Sequence, residues 1–227
     1  MNLWADFLTN DQRTIHKWTH YFPAYERHFA RFRNLSINML EIGCGGGGSL
    51  QMWKRYFGPM VQIVGIDIRK SCKTFEESQI SIMIGDQGDT AFLHAVTEKF
   101  GPFDIILDDG SHKMEHIAAS FRTLYPSLRQ NGVYMVEDLH TCYRSNYGGG
   151  YKVPASFIET CKDLLDELNA DHTQGAVPLT EFNRTTTSMH FYDSIAVFEK
   201  GRHLKKMIIK VPQPAPAPSE IDRSSGE

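Results

Sequence analysis

Two short stretches carry most of the chemistry in this chain. Asp108-Asp109-Gly110-Ser111-His112 gathers two carboxylates, a hydroxyl and an imidazole, and Glu137-Asp138-Leu139-His140 repeats the acid–acid–imidazole pattern farther on. Asp109, Glu137 and Asp138 are hard oxygen donors, which suit magnesium, calcium or manganese better than zinc. Magnesium keeps positions for substrate oxygens, so a vicinal diol could chelate it and release a proton more readily. His112 is spaced to take that proton, because imidazole titrates near neutral pH and serves as a general base. Asp108 reads as facing a cofactor or capping a helix that starts near Lys113. The Asp-Asp-Gly run can also simply turn the chain. His140 reads as outer support for the acids or as packing.

Both acidic stretches end apolar runs, Phe103–Leu107 and Gly132–Val136. Near-continuous apolar runs are the mark of strands buried in a parallel sheet. Ligands bind at the carboxyl edge of such sheets. Strand candidates at 37–42, 61–66, 80–84, 103–107 and 132–136 alternate with helix candidates at 48–57, 71–77, 88–99, 113–129 and 154–169. That alternation predicts an α/β fold with a Rossmann-like, doubly wound, mostly parallel sheet. Residues 189–200 read as a further strand pair or one long strand, and 206–211 as a final antiparallel edge.

The chain before this unit, 1–36, is expected to be a helical lid segment. Its stripe Ile15, Trp18, Phe22, Tyr25, Phe29 and Phe32 has helical spacing, with Pro23 starting a new helix rather than continuing one. It reads either as a helical pair packed on the sheet or as a polar-aromatic lid built from Lys17, His20, Tyr21 and Tyr25. The loop 143–154, with Gly148-Gly149-Gly150 between Tyr147 and Tyr151, reads equally as a closing lid or a surface crossover. The unit itself is expected over 37–211. From 212 to 227, alternating Pro and Ala predict an extended, disordered tail.

A nucleotide-type site precedes the acids. Leu40-Glu41-Ile42-Gly43-Cys44-Gly45-Gly46-Gly47-Gly48-Ser49 joins a strand to a helix, and Asp67 ends the next strand about 20 residues on, where an acid that binds ribose hydroxyls belongs. Asp86 and Gln87 follow the third strand, where polar groups could read an adenine or ribose edge. A pyrophosphate would sit on the helix N-terminus, but Glu41 would repel it and could instead meet an amino-acid ammonium. A nicotinamide-dependent oxidoreductase nevertheless remains open at this point.

Composition narrows the partners. The 227 residues suffice for one sizeable core, and a formal net charge of −3 gives no electrostatic reason to expect nucleic acid or an anionic membrane. The scattered Cys44, Cys72, Cys142 and Cys161 suggest neither a zinc knot nor a disulfide framework, and a reducing compartment fits them better. No signal-peptide pattern or membrane-length apolar run is present in the sequence, so a cytoplasmic location is expected. Exposed N-terminal aromatics leave a homo-oligomer open.

Glu41-Ile42-Gly43-Cys44-Gly45 followed by Asp67 resembles the class I S-adenosylmethionine (SAM) methyltransferases over about residues 37–200. The resemblance implies the class I methyltransferase fold, with Glu41, Gly43 and Gly45 at the methionine end, Asp67 on the ribose, and Asp86 and Gln87 near adenine. Leu107-Asp108-Asp109-Gly110-Ser111-His112 with Val136-Glu137-Asp138-Leu139-His140-Thr141 more narrowly resembles the metal-dependent sugar O-methyltransferases of macrolide and related natural-product pathways. That resemblance implies Mg2+ or Mn2+ on Asp109, Glu137 and Asp138, His112 as base, and an acceptor glycan or small molecule with vicinal hydroxyls. The macrolide enzymes carry a large N-terminal auxiliary domain, which this sequence is expected to lack, so the resemblance leaves their macrolide acceptor and tetramer open. A catechol-type O-methyltransferase and a non-catalytic SAM-binding module stand as alternatives.

Overall fold

The computed structural model describes residues 2–203, 206–209 and 211. Helices α1 (Leu3–Leu8) and α2 (Phe22–Phe29) precede strand β1 (Asn38–Ile42), and α3 (Gly48–Phe57), β2 (Gln62–Asp67), β3 (Ile80–Ile84), α4 (Thr90–Phe100), β4 (Phe103–Asp108), α5 (Met114–Leu124) and β5 (Leu128–Val136) follow. The chain continues through α6 (Phe157–Leu168), α7 (Glu181–Thr185), β6 (Thr186–Tyr192) and β7 (Ile195–Lys200). The seven strands form one sheet in the order β3-β2-β1-β4-β5-β7-β6. Strands β1 to β5 are parallel, while β7 runs antiparallel to both β5 and β6. The expected doubly wound architecture is therefore present, and its order reverses between β1 and β4.

Strand alternation divides the core. Met39, Ile63, Ile105, Leu107, Val133 and Met135 pack on one face with Tyr25, Phe29 and Trp53. Leu40, Ile42, Val64, Ile66, Ile106, Tyr134 and Val136 pack on the other with Leu93, Phe121 and Phe157. Register then fixes the functional edge. Ile42 lies beside Ile66 and Asp108, and Asp108 lies beside Val136. The next residues, Gly43, Asp109 and Glu137, consequently leave the sheet side by side.

Several boundaries differ from the sequence reading. Residues 71–77 form a tight 3-10 run, Lys70–Phe75, rather than an α-helix. Helix α5 stops at Leu124 and a 3-10 turn carrying Pro126 follows, so β5 begins at Leu128 and not at 132. The expected helical pair over 11–33 reduces to α2 with a 3-10 turn on either side. Residues 189–200 belong to two strands, hinged at Asp193-Ser194, with Ser194 in the left-handed region at φ 63°. The expected strand 206–211 does not form at 206–209, and residue 210 and the tail 212–227 lie outside the described residues. The β7–β6 hairpin supplies the antiparallel edge instead.

Helix α2 is tied to that hairpin by His28, whose ring is held between Glu199 Oε1 at 2.8 Å and the Tyr192 hydroxyl at 2.9 Å. Burial lowers the His28 pKa, partly offset by Glu199. On the opposite face, Phe198 is fully buried against Phe121, Phe157 and Phe182. Phe198→Ala should therefore cost about 3–5 kcal/mol through lost burial and the cavity left behind. Urea unfolding checks this, and a loss below about 1 kcal/mol would show that β7 is not a core strand.

Candidate active site

The alternation that splits the core also splits the acids. Glu41 lies on the face of Met39, and Asp109 and Glu137 continue beyond Leu107 and Met135 in the same phase. Asp108 follows Ile106 to the other face. There it is buried, accepting from Gln87 Nε2 at 2.7 Å and Ser120 Oγ at 2.5 Å, with Tyr134 at 3.3 Å. Its expected cofactor contact is thus replaced by an internal network, and it does not cap α5, whose N-cap position is Lys113. Gln87 is similarly committed: besides Asp108, its Oε1 accepts from the Ser111 amide at 2.9 Å.

Asp109, Glu137 and Asp138 converge beneath the N-terminal segment. Lys17 Nζ lies 2.6 Å from Asp109 Oδ2, 3.0 Å from Glu137 Oε2 and 3.6 Å from Glu41 Oε1. The Tyr25 hydroxyl donates to Glu137 Oε1 at 2.6 Å, and the Tyr21 hydroxyl to Asp138 Oδ1 at 2.6 Å. Three of the four residues of the lid reading therefore reach the acids, while exposed His20 packs on Trp18 and Tyr21. The segment is also packed against the sheet, with Tyr21, Phe22, Tyr25 and Phe29 buried.

Electrostatics follow from this burial. Desolvation alone would lower the Lys17 pKa, but Asp109, Glu137 and Glu41 together hold it well above its ordinary value. Burial pushes Glu41 up to about 7 and Glu137 up to about 8, with Lys17 opposing both shifts. It also holds the Tyr21 and Tyr25 phenols above their ordinary range, so both remain donors. His112 and Asp138 adopt left-handed backbone, φ 57° and 56°. Such conformations cost about 1 kcal/mol or more each and cluster at functional sites.

His112 Nε2 lies 3.6 Å from Asp138 Oδ2 and 4.0 Å from Asp109 Oδ1. Ligand atoms of Asp109, His112 and Asp138 fall within 4.8 Å of one another. This donor set fits a hard divalent cation at Asp109 and Asp138. Glu137 fits less directly, because both its oxygens already accept hydrogen bonds. His140 flanks the same carboxylate, 3.9 Å from Asp138 Oδ1.

Two cavities meet at this edge. One, about 400 Å³, is lined by Lys17, Trp18, Tyr21, His112, Asp138 and His140 among others. The second, about 440 Å³, is lined by Asp67, Arg69, Asp86, Gln87, Ser111 and His116 among others. Gly43, Gly45 and Asp109 border both. A Cβ on Gly43, at φ +91°, would fall 2.2 Å from the Asp109 carbonyl oxygen, so only glycine allows the two loops to approach. Asp67 receives the Cys44 amide at 3.0 Å and is clamped by Arg69, which holds its carboxyl below the ordinary range despite burial. A ribose at Asp67 would share it with Arg69. Asp86 accepts from the Gly88 amide at 2.8 Å at the cavity rim. Glu41 borders neither cavity: it is fully buried and faces Lys17, an internal ammonium.

Sequence reasoning did not single out Arg69, His116 or Thr141. His116 joins the site through Ser111 Oγ at 3.0 Å, and Thr141 donates to the Asp138 carbonyl at 2.7 Å with the His112 carbonyl 3.3 Å from the same hydroxyl. The loop 143–154 forms a 3-10 turn, Ser145–Tyr147, which brings Tyr147 to the wall of the first cavity.

The sheet order and the glycine loop define the class I methyltransferase fold. No family model matches the chain. Curated relatives at 37–39% identity are O-methyltransferases. It is 39% identical over 217 residues to the 8-demethyl-8-(2-methoxy-alpha-L-rhamnosyl)-tetracenomycin-C 3'-O-methyltransferase of Streptomyces olivaceus, covering 90% of this chain and 54% of that protein. It is 38% identical over 200 residues to the mycinamicin VI 2''-O-methyltransferase of Micromonospora griseorubida, covering 81% and 49%. A solved structure of MycE methyltransferase with Mg, SAH and mycinamycin VI matches with a TM-score of 0.77 and 35% identity, over 88% of this chain and 53% of that one. The chain spans about half the length of the curated relatives it matches. Among the described residues, no helix is long and apolar enough to cross a membrane.

The buried Asp108 yields a pH test. Burial raises its pKa to about 6, above the unfolded value. Its stability contribution is therefore fully present below the unfolded pKa and is lost as pH rises through the folded one. Between pH 4.5 and 7.5, urea unfolding should show the wild type losing about 2 kcal/mol more than D108N. Parallel profiles would contradict the burial argument.

Proposed function

We propose that the chain catalyses SAM- and Mg2+-dependent methyl transfer to a sugar hydroxyl. The observation that carries this reading is the meeting of two cavities at Gly43, Gly45 and Asp109, with His112 and Asp138 on one side and Asp67 on the other. The donor's ribose would lie at Asp67 and its adenine toward Asp86 and Gln87, while the acceptor hydroxyl would lie beside His112. A divalent cation on Asp109 and Asp138, joined by Glu137, would polarise that hydroxyl and lower its pKa.

His112 Nε2 accepts the hydroxyl proton as the oxygen attacks the sulfonium methyl carbon. Bound SAM would supply the methyl group and leave as a neutral thioether, and Asp109 and Asp138 would stabilise the imidazolium formed at His112. The Thr141 hydroxyl, donating to the Asp138 carbonyl at 2.7 Å with the His112 carbonyl 3.3 Å away, ties the loop of the base to the turn at Asp138. Holding donor and acceptor together lowers the entropic part of the barrier. The acceptor is inferred to be a glycoside with vicinal hydroxyls. An apolar cavity of about 450 Å³, lined by Tyr143, Ile158, Leu165 and Phe191, shares His140 with the acid cavity and would take an apolar aglycone.

The test is methyl transfer from labelled SAM to a panel of rhamnosides and catechols. Transfer to rhamnosides, abolished by EDTA and restored by Mg2+, is expected; turnover of catechols alone would refute the sugar reading. H112A should lower kcat by about 10²–10⁴-fold, and a loss of under threefold (~3) would remove His112 as the base. Calorimetry should detect SAH binding and no NAD binding; the reverse would favour an oxidoreductase.

A further inference from the structure

The acid cluster already contains a cation. The Lys17 side chain is only 2% exposed, and its ammonium sits on Asp109 Oδ2 and Glu137 Oε2. Glu137 has no oxygen without a donor, because Tyr25 holds the other one. A divalent ion approaching Asp109 and Glu137 would meet a positive charge already bonded to its own ligands. In a dry site that repulsion is weakly screened.

A second seat lies next to the first. Glu41 Oε1 is 3.6 Å from Lys17 Nζ, and Glu41 is fully buried. No donor meets hydrogen-bond geometry at either of its oxygens, although the Ser49 hydroxyl and the Trp53 indole are near enough to lower its pKa. Buried acceptors are seldom left unpaired, because the cost is about 1–3 kcal/mol. Glu41 therefore offers the ammonium a place to go without leaving the protein interior.

We propose that Lys17 competes with the divalent cation for Asp109 and Glu137, and that metal binding shifts its ammonium onto Glu41. Lys17 thereby lowers metal affinity, and Glu41 makes the exchange feasible by receiving the displaced charge. In the metal-free state the ammonium neutralises the acids and draws residues 14–18 onto the sheet edge. In the metal-bound state the same charge is retained one step deeper. The inference rests on reading Asp109, Glu137 and Asp138 as a metal site.

Calorimetric titration with Mn2+, without SAM, tests it on the full chain. K17M should bind Mn2+ at least about tenfold more tightly than wild type, since the competitor is gone. E41Q should bind it about tenfold more weakly, since the second seat is lost. In K17M, adding E41Q should change affinity by less than about threefold, because no ammonium remains to be received. A purely electrostatic role for Glu41 would instead persist in the double variant, and that result overturns the exchange. Unchanged or weaker Mn2+ binding by K17M overturns the competition.

Wild type provides a check that does not depend on the variants folding. In lysine side-chain 15N NMR, the protected Lys17 ammonium signal should shift on saturation with Mg2+, and an unmoved signal would contradict the proposal. The reading of the site fails separately. Methyl transfer that survives EDTA would remove the metal from the reaction, whereas EDTA-sensitive transfer with unaltered K17M affinity would remove only the exchange.

Discussion

Everything at the functional edge depends on charge compensation. The β1–β4–β5 register delivers Glu41, Asp109 and Glu137 to one face of the sheet, and two of them are almost wholly buried. Carboxylates gathered in a low-dielectric interior must be matched by a cation or take up protons, because desolvation costs on the order of several kcal/mol per ion. Lys17 supplies that cation, and Tyr21 and Tyr25 add neutral donors. The N-terminal segment is thus held to the sheet by the acids it covers, and the site is built from both ends of a long stretch of sequence.

The same sheet geometry accounts for the division of labour between adjacent acids. Asp108 and Asp109 are neighbours in sequence but point to opposite faces. One becomes the centre of a buried network with Gln87, Ser120 and Tyr134, and that network positions the loop bearing Ser111 and His112. The other stands where the two cavities meet. The switch point between β1 and β4 is where open α/β sheets bind ligands, and Gly43 lets the β1 loop come close enough to the β4 loop to make a shared wall.

Much of this was legible in the chain itself. Apolar runs located β1 to β5, and the acids at their ends located the site, because burial permits carboxylates only where a strand emerges. The convergence of Asp109, Glu137, Asp138 and His112 followed from those two ideas. Strand alternation could also have separated Asp108 from Asp109, by counting from Ile106 and Leu107. The tertiary contacts were not readable. That Glu41 meets Lys17 rather than a cavity depends on how residues 9–18, which lack regular helix or strand, cross the sheet edge. Arg69 on Asp67 and Ser111 on His116 are likewise set by loops with no periodic signal. Residues 206–209 read as a strand by composition but form no strand.

The acid edge is proposed as a divalent-cation site beside a general base. Anomalous diffraction from crystals of the protein with Mn2+ and SAH tests it most directly. A manganese peak bonded to Asp109, Glu137 and Asp138, next to His112 and at the boundary of the two cavities, is expected. No peak there at saturating Mn2+, with Lys17 still bonded to Asp109 and Glu137, would contradict it.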